Sequence, residues 1–291
     1  MRPLPLLLAL TLGACSSAQK PRPPLGALPT AVTTAEPLWI PFRVHAGRAV
    51  SLEPRESHFT ELRRLTSDGH AGLPLWAPSG AELRYVNRAD CRTIETIDLE
   101  TGRTSRVTHA TALESLVTAD TLTATECDGA PSAHATTSPH ALHGTAPVSL
   151  GGITNPHAMP TLSPDHALLS WQAHIEGGAD GSTAIFLSAA NGARPRQVSH
   201  DGLINAHPTF TKDGRRIVYS SDRDSVPNAS TFALYLTEPE GPVTASGAAR
   251  VERLTFGDDR APRFSPDGRW LAFLSSRGGN GTDLYVARWL D

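Results

Sequence analysis

The feature that most constrains this chain is a unit that recurs along it. "FSPDGRWLAFLSSRGGNGTDLYV" (Phe264 to Val286) reads as a strand, a tight turn, a strand, a glycine-rich loop and a further strand. Pro266 presets a turn φ, and Asp267 and Gly268 supply the side-chain hydrogen bond and the permissive backbone that a reversal needs. Trp270 to Leu274 are apolar without alternation, which indicates a strand covered on both faces. The same unit returns in "HPTFTKDGRRIVYSSDRD" (His207 to Asp224), "MPTLSPDHALLSWQA" (Met159 to Ala173) and "LPLWAPSGAELRYVNR" (Leu73 to Arg88). An apolar residue followed by Thr or Ser marks the start of each period, at Leu65, Val107, Ile153, Val198 and Leu254, with spacings of 42, 46, 45 and 56 residues. About four strands in a period of forty-odd residues is the pattern of propeller blades. The fold expected is therefore all-β, with five identifiable blade repeats.

These residues resemble the repeats of the TolB-like β-propeller family, whose pattern runs leucine-threonine, Pro-x-Phe-Ser-Pro-Asp-Gly, an apolar strand, Ser-x-Arg, Gly-Asn and Asp-Ile-Tyr-Val. The last unit matches nearly throughout, from Leu254 and Thr255 through Pro262, Phe264, Ser275, Arg277 and Asn280 to Asp283 and Val286. The unit at 199–254 matches well, those at 154–198 and 66–107 in part, and that at 108–153 poorly. The resemblance covers about three quarters of the chain. It speaks to fold far more than to function. The family's usual blade number is six, against the five units found.

Ring closure follows from where the repeats begin and end. The final unit stops at "LYVARWLD" without an outer strand, and "SHFTELRRLT" (Ser57 to Thr66) is an outer strand with no blade before it. Their pairing would hide two sheet edges. Residues 37–56 contain "PLWIPFRVHAGRAVSLEP", which reads as a hairpin turning at His45 to Gly47, an incomplete sixth blade or an N-terminal cover. The propeller is expected over 57–291.

The N-terminus reads as an address. Arg2 precedes an apolar core at Leu4 to Leu12, and Leu12-Gly13-Ala14-Cys15 is similar to a bacterial lipoprotein signal-peptidase site. The apolar run is too short to span a bilayer. That resemblance implies a signal peptide over 1–14, cleavage before Cys15, lipidation of Cys15 and stable membrane anchoring. Ser16, rather than Asp, follows the cysteine, which favours the outer membrane, facing the periplasm. Residues 15–36, rich in Pro, Ala, Ser and Thr, read as the lipidated tether.

A net charge of −3 and the absence of any Lys/Arg run exclude an electrostatic footprint for nucleic acid. Cys91 and Cys127 follow the second strands of adjacent units, on loops of one face, so a disulfide between them is expected, with two free thiols as the alternative. His70, His157 and His207 sit within four residues before the strand-opening Pro74, Pro160 and Pro208. With Asp258, Asp259 and Arg260 they are expected at the channel mouth, lining a recognition surface in preference to a metal site. His134, His140 and His143 lie in a low-complexity insertion without zinc spacing. Asp165, Asp213 and Asp267 are assigned to turn chemistry, and the loops "SDRDSVPN" and "SRGGNGTD" lack a regular calcium pattern. There is no G-x-S-x-G elbow, phosphate loop or dinucleotide fingerprint, and no cofactor is implied. The expectation is a non-enzymatic, lipid-anchored envelope protein using its propeller to bind other proteins. The resemblance implies a partner such as a peptidoglycan-associated lipoprotein and a role in envelope integrity or assembly. The competing expectation is a carbohydrate-active enzyme or a small-ligand or metal binder at the channel mouth.

Overall fold

The computed structural model describes residues 42–90, 93–108, 160–175, 178, 181–201, 204–226, 231–240 and 249–291. The chain divides into Met1–Ile40, outside those residues, and Pro41–Asp291, which holds every element below. The described residues form strands and no helix. First in the chain come β1 (Arg48–Val50) and β2 (Phe59–Arg64). The first blade is β3 (Ala71–Trp76), β4 (Glu82–Asn87), β5 (Thr93–Asp98) and β6 (Thr104–Thr108). The second is β7 (Thr161–Leu162), β8 (Leu168–His174), β9 (Thr183–Ala189) and β10 (Arg196–Gln197). The third is β11 (Asn205–Phe210), β12 (Ile217–Ser221), β13 (Ala233–Thr237) and β14 (Val251–Arg253). The closing blade orders β1-β2-β17-β16-β15, built on β15 (Asp259–Phe264), β16 (Trp270–Ser275) and β17 (Asp283–Trp289).

Each sheet is an antiparallel meander, and the innermost strands follow one another around a common axis, β3 beside β15, β15 beside β11 and β11 beside β7. This is a β-propeller. Four of the five repeat units are covered. The unit at 108–153 lies outside the described residues apart from the end of β6. The ring closes as the sequence predicts, β2 pairing antiparallel with β17 from Tyr285↔Arg64 to Trp289↔Phe59. β1 then adds to the outside of β2, with Arg48 opposite Arg64, so residues 48–50 pair forward in the chain.

The repeat motifs have structural causes. In the turns, Ser163, Thr211 and Ser265 donate their hydroxyls to Asp165, Asp213 and Asp267 at 2.5, 2.5 and 2.6 Å. Each carboxylate also accepts a backbone N–H two residues on. In the first blade Ser79 stands in the Asp position and accepts from the Ala81 N–H. In the second, His166 stands where the other turns have Gly80, Gly214 and Gly268, and takes the same left-handed φ, 58°. The hydroxyl of the leucine-threonine marker also has one repeated task. Thr66, Ser199 and Thr255 each accept an N–H from the second or third residue of a third strand, from Leu284, Ile185 and Leu234, all at 2.9 Å. Thr255→Val leaves the buried Leu234 N–H unsatisfied, so we expect a loss of about 1–3 kcal/mol in urea unfolding. A loss below about 0.5 kcal/mol would show that the marker is dispensable.

Apolar layers between blades supply the core. One position recurs as a cross-strand pair, Trp171 with Phe186, Tyr219 with Tyr235 and Phe273 with Tyr285, ring centroids 5.8 to 6.1 Å apart. Trp171, Tyr219, Phe273 and Tyr285 are among the largest fully buried side chains, each contributing on the order of 2–3 kcal/mol by burial. In the first blade Tyr85 pairs with Glu95 instead, its hydroxyl donating to the carboxylate at 2.6 Å.

Candidate functional site at the channel mouth

Three of the described inner strands, β3, β11 and β15, are stitched at their start to the preceding described blade. The Ala71 N–H donates to the Thr282 carbonyl at 2.9 Å, the Asn205 N–H to the Thr183 hydroxyl at 3.1 Å and the Asp259 N–H to the Phe232 carbonyl at 2.9 Å. Within β3, β11 and β15 a bulge shifts the register two or three residues after the start. In β11 and β15 it places His207 (φ 56°) and Ala261 (φ 52°) in the left-handed region. Their N–H groups turn to the neighbouring blade, where Gln172 Oε1 accepts from His207 at 2.8 Å and Ser220 Oγ from Ala261 at 3.0 Å. The bulges carry hydrogen bonds across the seams.

Against this frame the sequence-predicted residues separate. His70 is exposed, its carbonyl accepting from the Arg88 N–H and its N–H donating to Asp68. His207 is half-buried in the β11 bulge. Asp258 is half-buried. Its Oδ1 accepts from the Phe232 N–H at 2.9 Å, its Oδ2 from the Ser276 hydroxyl at 3.1 Å, and Arg260 pairs with it at 3.2 Å while lying over the Phe232 ring. The structure thus brings Asp258 and Arg260 together. Asp259 does not join them, because successive side chains of an extended segment point to opposite sides. Among the described residues no group of three His, Cys, Asp or Glu is placed to hold a metal ion. His157, Cys15, Cys91, Cys127 and the insertion carrying His134, His140 and His143 lie outside the described residues.

Asp259 belongs to a buried ion cluster. Its carboxylate and that of Glu56 are both fully buried, and Arg277 bridges them, 2.7 Å from Asp259 Oδ2 and 2.8 Å from Glu56 Oε1. Burial works against the charge on Arg277, but attraction to Asp259 and the hydrogen bonds to both carboxylates outweigh it and raise its pKa. The Ser-x-Arg of the repeat flags Arg277. No local pattern flags Glu56. A parallel contact ties Arg64 to the buried Asp283 at 2.5 Å, where Asp283 also accepts from the Thr66 hydroxyl and the Gly69 N–H.

Side chains link the inner strands of the described blades. Trp76 Nε1 donates to the Arg263 carbonyl at 2.9 Å, Arg263 to the carbonyls of Pro262 and Pro208, and the Thr161 hydroxyl to Pro208 at 3.2 Å. These bonds satisfy inner-strand carbonyls and link the four described blades. In the first blade, burial works to raise the Glu95 pKa, but hydrogen bonds from Tyr85, Asn87 and Arg106 outweigh it and hold it below its ordinary 4.5. Burial pushes the Tyr219 phenol up to about 12. The first shift arises from hydrogen bonds within one blade and the second from burial.

No family model matches this chain. It is 33% identical over 120 residues to the uncharacterized protein Atu1656 of Agrobacterium fabrum, a stretch covering 40% of this chain and 36% of that relative. Among solved structures it is similar to one assigned as TolB from Agrobacterium tumefaciens, with 22% identity, 76% of this chain and 62% of that chain covered, and a TM-score of 0.40. For TolB from Acinetobacter baumannii the values are 17%, 75%, 41% and 0.39. For oligogalacturonate lyase from Vibrio parahaemolyticus they are 11%, 80%, 72% and 0.34.

Proposed function

We propose that this chain is a lipid-anchored cell-envelope protein whose propeller is a non-enzymatic platform for binding another envelope protein. The observation that carries the reading is the use made of the mouth carboxylates. Asp258 is bonded to Phe232, Ser276 and Arg260, and Asp259 is buried against Arg277, so both serve to hold the mouth loops and the seam in place. Groups so engaged build a rigid surface. The sequence supplies the other half of the reading, with Leu12-Gly13-Ala14-Cys15 ahead of the proline-rich stretch as an anchor and tether. Cys15 carries the acyl chains, the outer membrane facing the periplasm is the location, and the partner is an envelope protein of the peptidoglycan-associated lipoprotein kind. Cys91 and Cys127 form a disulfide in that oxidising compartment.

The test is crosslinked isolation of the protein from its own envelope fraction, with Cys15→Ser as the unanchored control and mass spectrometry as the readout. The expected result is acylated Cys15 and one stoichiometric envelope partner whose crosslinks fall on the mouth loops near Asp258 and Arg260. Recovery of the same proteins with the control would reject the platform, and glycan and metal binding at the mouth would then be the measurement to make.

A further inference from the structure

The segment ahead of the closing strand touches three blades. Val44 and Ala46 are buried in the core shared by the first and closing blades, and the N–H groups of His45 and Ala46 both donate to the Leu99 carbonyl of the first blade, at 2.8 and 2.9 Å. From the closing blade Arg63 donates to three consecutive carbonyls of this segment, to Ala46 through Nε at 2.7 Å and to His45 and Gly47 through Nη2 at 2.8 and 2.9 Å. β1 lies along β2, and Glu56 is bonded into the Arg277 cluster. Arg55 stacks over Phe256 of the third blade at 3.9 Å, and His58 lies 3.1 Å from Glu252 of the same blade. Residues 42–58 therefore cross both seams of the closing blade.

The closure they precede is weak in one direction. β2 and β17 are antiparallel, with Phe59 opposite Trp289, so the start of β2 and the end of β17 sit side by side. A pull between these two ends opens the ladder one hydrogen-bonded pair at a time instead of shearing all pairs together. Upstream of Phe59, the bonds to Leu99, Arg63 and Arg277 must break before the load reaches that point.

We propose that residues 42–58 are a mechanical latch, which passes tension from the N-terminal tether into the first, third and closing blades and keeps it off the β2–β17 ladder. This rests on the reading of the chain as anchored through its N-terminus. The latch itself is a property of the described contacts.

The test is constant-force pulling on the chain from residue 15 onward, with Cys15→Ser and handles at both ends. The expected record has two steps. The first releases roughly 60 Å, the length of about 17 extended residues, and the second is the opening of the ring. Arg63→Met should shorten the lifetime before the first step about tenfold or more, since three charge-assisted hydrogen bonds to the segment are lost, and leave a second step. A single rupture releasing the whole domain, or an unchanged first-step lifetime in Arg63→Met, would overturn the latch. Acylation of Cys15, read separately by mass spectrometry of the envelope form, tests the anchor, so either idea can fail while the other stands.

Discussion

Arg277→Met is expected to lose about 3–5 kcal/mol of folding stability. The substitution keeps most of the side-chain volume but leaves the fully buried carboxylates of Glu56 and Asp259 facing each other without their shared cation. An unpaired buried charge costs far more than the pair contributes, because desolvation is no longer offset by attraction. Glu56→Gln in the Arg277→Met background should recover part of the loss, since one of the two stranded charges is gone. Urea unfolding of the two variants beside the native chain measures both. A loss below about 1 kcal/mol for Arg277→Met would mean that water reaches these carboxylates and that the cluster behaves as a surface pair.

Gly69→Ala should cost about 2–4 kcal/mol, from the left-handed backbone and the steric overlap together. Gly69 has φ +76°, and a Cβ there would lie 1.6 Å from the Asn280 carbonyl oxygen, a backbone atom that no rotamer change can move away. The close approach exists because the loop leading from the closing strand meets the last glycine-rich loop, Thr282 donating its N–H to the Gly69 carbonyl at 3.0 Å. Gly279→Ala is the control, since its φ is +85° but nothing lies within 4 Å of its Cβ position. It should lose only the conformational part, about 1–2 kcal/mol. Equal losses in the two variants, by thermal unfolding, would remove the steric part of the explanation.

What could be read along the chain was whatever one repeat shows by itself. The turn aspartates and the leucine-threonine markers have partners within a few residues or in their own blade, so their sequence pattern already contains their roles. The mouth residues were legible as positions only. Asp259 opens the inner strand β15, yet its burial in an ion cluster depends on Arg277, 18 residues away, and on Glu56, 221 residues from Arg277. Glu56 carries no local signal at all, because an isolated glutamate before a strand looks like any solvated residue.

The hydrophobic run after each turn and the recurrence near forty residues determined an all-β ring closed by its own N-terminal strand, since such units cannot bury their faces except against copies of themselves. Only the tertiary structure decided that residues 42–58 lie across both seams of the closing blade, that Arg263 links the inner strands of three blades and that Asp259 is an internal counter-ion. Those outcomes join groups from distant units, and their energies come from desolvation and geometry that exist once the ring has closed.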